Sequence, residues 1–469
     1  MRAAGTDVSL LAMLTSWPLR ALLACALLFA VSLSMVPDRS EQDPARERPN
    51  ILLILTDDQP AKTLAEMSKL REGLMDKGVT FKQGFVTDPL CCPSRATILT
   101  GEYAHNHGVR TNSFPGGGAE KFRELDGDTI ATRLQEAGYS TAYFGKYFNE
   151  YRGRYVPPGW DRWFVYSGSA ADRSYDMNDQ GRVLTYTHAH TNETDLTADR
   201  AAEYIGEHDG PWFMVVGTRA PHGPHYPSDN HRNDFNGVDL PGFGEEDVSD
   251  KPATVRNAPP LDEKRTRRLR EDYEGKLETL QDVDDLVGKL LKRLEATGQM
   301  KNTYIVYTTD NGWLLGEHNL TAKGLPYEGA VRVPYVVRGP GVPPDEKRDE
   351  LVANVDLAPT FAAWGGVELP GTDGRELVPL LEDAPSASWR EQLLIEHFAG
   401  HAWEGLRTPR YTYVEHATGE KELYDLREDP RQLRSVHKTA DQALLENLER
   451  RLELLRDCSG DGCRAAEGD

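Results

Sequence analysis

Two adjacent cysteines, Cys91 and Cys92, open the run Cys91-Cys92-Pro93-Ser94-Arg95 in a chain with five cysteines in all. A thiol serves as nucleophile, metal ligand or redox partner, and spacing separates these uses. Zinc pairs are spaced C-x₂₋₄-C and come with a second pair or with matching histidines, which this chain lacks. Redox pairs favour C-x-x-C. A buried loop is the plain reading of the run, and a chemically used cysteine is the sharper one. Elsewhere, oxygen-bearing side chains follow apolar runs. Asp57 and Asp58 come directly after Ile51 to Leu55 and Thr56, and Asp310 and Asn311 after the β-branched and aromatic run from Thr303. Each pair alone is an ordinary turn signal. Placed at the ends of buried strands, where open α/β sheets carry their ligand sites, the pairs suit a hard cation. Oxygen-only donors favour calcium or magnesium over zinc.

The elements that must position these groups are legible as period and punctuation. The continuous apolar run at Ile51–Leu55 predicts a strand buried on both faces. A helix is expected from about Lys62 to Lys77. Another is expected to start near Pro93-Ser94, presenting free N–H groups to an anion. Residues 129–151 read as helix, turn at Gly138, then strand, leaving Lys146 near the strand end. Residues 211–227 read as a buried strand entering a loop with His222 and His225. These histidines are three apart, but the flanking prolines and Gly223 forbid the helix that would make them joint metal ligands. Residues 228–262 are rich in Pro, Asp, Asn and Gly and read as a surface insertion. A long helix is expected over roughly 263–297, with Leu269, Tyr273, Leu277, Leu280, Val283, Val287 and Leu291 on one face. Shorter strand patterns and an amphipathic helix near Asp441 to Leu455 fill the C-terminal part.

Taken together and in order, C-x-P-S-R, Gly145-Lys146-Tyr147, the Ala-Pro-His ending at His222 and Asp310-Asn311-Gly312 resemble the sulfatase family. The resemblance covers roughly residues 49–457. It implies an alkaline-phosphatase-like α/β fold: a three-layer sandwich around a mostly parallel, mixed sheet, with a small C-terminal antiparallel sheet. It implies hydrolysis of sulfate monoesters, with Cys91 converted to formylglycine by a formylglycine-generating enzyme. A calcium ion, ahead of magnesium, would be held by Asp57, Asp58, Asp310, Asn311 and residue 91. Arg95, Lys146 and Lys323 would add positive charge, and His222 would protonate the leaving alcohol. Asn149, His225 and His318 fall on the substrate side. Many family members carry a histidine two residues after the lysine, where this chain has Phe148. The wording of residues 145–151 resembles the N-acetylglucosamine-6-sulfatase branch, so a sulfated amino sugar or glycosaminoglycan is the expected substrate. The rival readings are a phosphonate or phosphate ester hydrolase of the same superfamily and a non-catalytic secreted carbohydrate-binding protein.

Composition sets the outer bounds. A chain of 469 residues with 39% hydrophobic and 28% charged residues is globular and exceeds one ordinary core. A net charge of −21 excludes general nucleic-acid binding but leaves room for a locally basic pocket. Arg20 and the apolar run at 21–36 read as a signal peptide, or an anchor if uncleaved, and 37–48 as a linker. The run falls short of the ~20 apolar residues a span needs. Only an uncleaved anchor would bring the chain to a membrane; the expected location is secreted or cell-surface. In that oxidising setting Cys458 and Cys463 are expected to form a disulfide. The expected layout is a catalytic domain over 49–384, a small subdomain over 385–457, and a tail over 458–469.

Overall fold

The computed structural model describes residues 48–168, 174–241, 247–383 and 388–468. The expected signal segment, nearly all of the expected linker and the 384/385 boundary lie outside the described residues. Among those described, no helix is long and apolar enough to cross a membrane.

The strands are, in chain order, β1 (Asn50–Thr56), β2 (Val79–Phe85), β3 (Ser140–Gly145), β4 (Arg162–Tyr166), β5 (Ser174–Asp179), β6 (Arg182–Thr187), β7 (Trp212–Gly217), β8 (Thr303–Thr309), β9 (Tyr335–Arg338) and β10 (Glu346–Ala353). They form one ten-stranded sheet in the order β10-β2-β9-β8-β1-β7-β3-β4-β5-β6. The centre is parallel, with β1 flanked by β7 and β8 and β3 beyond β7. Strand β9 and the β4-β5-β6 edge pair antiparallel. Alternation of side chains along each strand feeds two separate cores. Ile51, Leu53 and Leu55 pack with Phe213, Val215 and the helices at Ile130–Glu136 and Leu357–Gly365. Leu52 and Ile54 pack with Met214, Val216 and the long helix Glu263–Ala296. Helices cover both faces of the sheet, giving the expected three-layer sandwich. The seven long-helix residues assigned to one apolar face are all buried.

A second, four-stranded antiparallel sheet runs β11 (Leu393–His397), β12 (Trp403–Arg407), β13 (Tyr411–His416) and β14 (Lys421–Asp425). Helix Gln442–Arg456 lays Leu445, Leu448, Leu452 and Leu455 onto it. This core also takes in Phe85, Tyr103 and Leu351 from the larger part, so the two sheets share apolar packing.

Three local expectations are corrected. The 62–77 helix is broken into 3₁₀ turns at Ala61–Glu66 and Met75–Lys77 around a short helix, Ser68–Gly73. The break comes from a tertiary cap: Asp284 of the long helix accepts from the amides of Lys69 (2.9 Å) and Leu70 (2.7 Å). The signature helix starts at Cys91, ahead of Pro93, because Pro needs no hydrogen-bonded N–H in a first turn. The 228–262 segment is not wholly superficial: Val255 is buried with Leu314, Tyr327 and Tyr424, and Glu420 accepts from the Ala253 amide at 3.0 Å. The 458–469 tail contains a helix, Asp461–Glu467, while the disulfide expected between Cys458 and Cys463 is present.

Candidate active site

Parallel register builds the site. Strands β1 and β8 run side by side with Thr56 opposite Thr309, so Asp57-Asp58 and Asp310-Asn311 leave the sheet together. The Asp310 amide donates to the Thr56 carbonyl at 3.1 Å, and the Asp58 amide to Asp310 Oδ1 at 3.3 Å. Asp58 takes a left-handed backbone (φ 62°), a conformation that aspartate tolerates better than most residues and that recurs at functional sites.

Cys91 is the first residue of helix Cys91–Thr100, all ten of whose residues are buried. Its neighbour Cys92 turns into the apolar core and accepts from the Asn149 amide at 3.3 Å, so the two thiols have separate surroundings. Cys91 Sγ lies 2.8 Å from Lys323 Nζ and 3.5 Å from Asp57 Oδ1. Potential ligand atoms of Asp57, Asp58, Cys91 and Asp310 all fall within 4.8 Å of one another, in full burial.

Three cations answer three carboxylates. Lys146 pairs with Asp57 and Lys323 with Asp58, both in close contact, and Arg95 Nε donates to Asp310 Oδ2 at 2.7 Å. Arg95 is fixed further by the Lys146 carbonyl (2.7 Å) and by Tyr143. Lys146 follows Gly145, whose φ of 91° and close approach to β7 require glycine: a Cβ there would meet the Gly217 carbonyl oxygen at 1.9 Å. Burial alone would raise the Asp57 carboxyl, but Lys146, His222, Lys323 and Arg95 outweigh it and hold Asp57 well below the usual carboxylate range. Asp58 is lowered in the same way, chiefly by Lys323 against burial. For Asp310, burial and the neighbouring Asp57 win over Arg95, pushing it up to about 6. Burial, then Asp57, pushes the Cys91 thiol up to about 12.

Two buried polar atoms here have no hydrogen-bond partner among the described residues, Asn311 Oδ1 and Arg95 Nη2. A buried polar atom left unpaired is costly, so these mark places meant for a ligand. The oxygen donors of Asp57, Asp58, Asp310 and Asn311 fit a hard cation.

The family model for sulfatases matches residues 49–367, and that for the N-sulphoglucosamine sulphohydrolase C-terminal region matches 316–458. The human N-acetylglucosamine-6-sulfatase is 33% identical over 475 residues, covering 89% of this chain and 86% of its own. The chain belongs to the sulfatase family. Its members hydrolyse sulfate esters. A Caenorhabditis elegans homolog of the extracellular sulfatase Sulf-1 is 36% identical over 74% of this chain, which spans about half (52%) of that longer protein. A protein solved in complex with its substrate D-glucosamine-2-N,6-O-disulfate superposes with a TM-score of 0.77 at 24% identity, covering 87% of this chain and 97% of that one. That likeness supports the fold.

Beside the charged centre this sulfatase has a cavity of about 340 Å³ lined by Lys146, Asn149, Arg152, Tyr166, Arg219 and His222, among others. His222 Nε2 stands 3.7 Å from Asp58 Oδ2, and burial, against Asp57 and Asp58, lowers its pKa. Asn149 Oδ1 is buried there without a partner. The structure does not bring all three expected substrate-side residues together. His225 turns to the long helix, 3.0 Å from Asp272 Oδ1 and packed on Gly275, where a Cβ would meet its ring at 2.5 Å. His318 is buried against the Tyr327 ring (centroids 4.0 Å apart) and lines a different cavity, with Trp313 and Glu317. Sequence reasoning missed Tyr143, which has no local signal, and Arg219, which stands directly before the Ala-Pro-His motif.

Proposed function

We propose that this sulfatase removes sulfate from a sulfated amino sugar or glycosaminoglycan residue, using a formylglycine made from Cys91 and a calcium ion. The observation that carries the reading is the placement of Cys91 Sγ within the Asp57–Asp58–Asp310 cluster, with Lys323 Nζ 2.8 Å away. Sulfate monoesters are anions, so a nucleophile needs fixed positive charge to approach them. Calcium held by Asp57, Asp58, Asp310, Asn311 and residue 91 would supply that charge to the sulfate oxygens. Formylglycine at position 91 would supply a hydroxyl nucleophile and a second hydroxyl for releasing sulfate.

The chain's own residues do the remaining work. Lys146 and Lys323 hold positive charge at the mouth of the cluster, each anchored by a carboxylate, so neither reorganises when charge develops on the ester. Arg95 fixes Asp310 and, through the Lys146 carbonyl, the end of β3. Asp310 accepts the proton of the attacking hydroxyl. His222, lining the cavity, gives a proton to the departing alcohol oxygen. Asn149 orients the sugar through its unpaired Oδ1, while His225 and His318, turned to Asp272 and Tyr327, take no part in holding it. The wording of residues 145–151 and the likeness to N-acetylglucosamine-6-sulfatase favour a 6-O-sulfated glucosamine unit. The proposed layout keeps the catalytic domain at 49–384, the subdomain at 385–457 and the disulfide-closed terminus at 458–469. Export through the N-terminal segment, with maturation by a formylglycine-generating enzyme, completes it.

The test is the mass of the tryptic peptide containing Cys91, from protein secreted by its own host, read beside hydrolysis of N-acetylglucosamine 6-sulfate. Formylglycine with hydrolysis is the expected outcome. Hydrolysis by protein whose Cys91 is wholly unmodified would remove the mechanism.

A further inference from the structure

Sulfate hydrolysis as proposed needs one anion in the site, and the cations at the charged centre are each committed to a carboxylate there. Arg219 is not part of that set. It leaves β7 three residues before His222 and lines the same cavity as His222, Lys146 and Asn149. Its side chain is 12% exposed. Nε donates to Glu193 Oε1 at 2.9 Å, and the guanidinium stands 5.6 Å from the centroid of the Tyr226 ring. The two terminal nitrogens have no hydrogen-bond partner among the described residues.

We infer that Arg219 is a specificity residue that binds a second anionic substituent of the substrate, so that the preferred sugar carries a sulfate or carboxylate besides the ester being cut. The inference rests on the sulfatase reading of the site and deepens it.

Three physical points carry it. A guanidinium keeps its charge when buried and presents its N–H groups in a planar fork that matches an oxyanion. Glu193, at the start of helix Glu193–Glu207, holds the fork by one nitrogen, so little side-chain freedom is lost when the others engage a ligand. Leaving those N–H groups dry and unpaired beneath a neutral sugar would be costly, which turns Arg219 into a penalty against singly charged substrates. Arg152, exposed, adds positive charge to the same lining. The one carboxylate that lines it, Glu150, is engaged elsewhere by the Phe114 amide at 3.0 Å.

The experiment compares glucosamine 2-N,6-O-disulfate with N-acetylglucosamine 6-sulfate, by calorimetric binding to the Cys91→Ser protein and by turnover of the matured enzyme. Both proteins should prefer the disulfate. Arg219→Gln should weaken the disulfate roughly 10- to 100-fold, the range of a charged hydrogen bond, with the loss in KM. The monosulfate should bind as well as before or up to roughly tenfold better, because the glutamine removes the cost of an unpaired guanidinium. Arg219→Lys, which keeps the charge but not the fork, should recover part of the preference and guards against a folding defect in the glutamine variant. A 6-sulfated glucosamine linked to a uronate distinguishes carboxylate from N-sulfate as the second anion; preference for either over the monosulfate, lost in Arg219→Gln, supports the inference. Equal loss on all sugars would mean that Arg219 only ties the loop to the helix, and overturns it. No preference in the parent protein overturns it as well, while leaving the sulfatase reading intact. Failure of the matured parent to hydrolyse any of these sugars overturns that reading, and the inference with it.

Discussion

Two largely buried ionic clusters among the described residues are built to opposite ends. One is the charged centre at Cys91. The other joins the signature helix's exit to the C-terminus: Arg390 lies between Asp356 and Glu467, and Tyr103 donates to Glu467 Oε1 at 2.6 Å. In this second cluster every carboxylate oxygen is taken. Asp356 accepts from the amides of Arg375 (2.9 Å) and Ala353 (2.8 Å) as well as from Arg390, and Glu467 Oε2 is paired with Arg375 and Arg390. In the first, Asn311 Oδ1 and Arg95 Nη2 remain unpaired and a cavity opens beside the cations. In the second cluster Arg390 Nε also lacks a hydrogen bond, but it faces Glu467 Oε2 at 3.1 Å; the difference is that the unpaired atoms of the first sit beside an open cavity. A cluster whose carboxylate oxygens are all taken holds elements together, whereas one with unpaired atoms beside a cavity is poised to bind.

That contrast can be broken from either side. Cys91→Ala should abolish sulfate release to background, at a cost in stability well below that of stranding a buried charge, because it removes one buried sulfur and leaves every carboxylate paired. Arg390→Met should do the reverse. It strands two buried carboxylates and should cost about 3–5 kcal/mol in denaturant unfolding, with kcat per folded molecule unchanged. Lys323→Ala should lower kcat/KM by on the order of 10²–10³, as for other fixed charge stabilisers. Chelation should stop turnover and lower the midpoint by mass action. Calcium, ahead of magnesium, should restore both in the parent and in Arg390→Met alike, because Arg390 touches none of the oxygen donors at Cys91.

The smallest effect concerns pH. Burial would lower the His105 pKa, but Glu396 at 2.9 Å and the Cys458 carbonyl at 2.9 Å outweigh it and push it up to about 9. The folded value lies above the unfolded one near 6.5. The pair therefore stabilises fully below about pH 6.5, and its contribution is lost as pH rises through about 9. Midpoints measured from pH 6 to 10 should show this decline, and His105→Gln should flatten it. An unaltered decline in that variant would assign it to other groups.

The C-terminal region also shows where sequence reading stops. Strand β12 (Trp403–Arg407) carries Glu404, Gly405 and Arg407 and lacks a clean alternation, so it gave no local signal. It is a strand because β11 and β13 pair with it on both sides. The terminal helix is likewise made by its partners: buried Glu467 is tolerable only opposite Arg390 and Arg375. By contrast, β1, β7, β8 and the long helix were legible because their apolar period is long and unbroken.

What the sequence by itself determined is the chemistry: a cysteine in C-x-P-S-R, oxygen donors at the ends of β-branched runs, and lysines and a histidine in family order. These are local, since residue type fixes donor, charge and pKa range. What only the tertiary structure decided is convergence and exclusion. Asp57 and Asp310 are separated by some 250 positions in the chain and meet only because β1 and β8 pair in parallel register. His225 and His318 look as well placed in sequence as His222, yet packing turns one to Asp272 and the other to Tyr327. Direction of a side chain from a loop depends on backbone angles and neighbours distant in sequence, and no spacing rule encodes either.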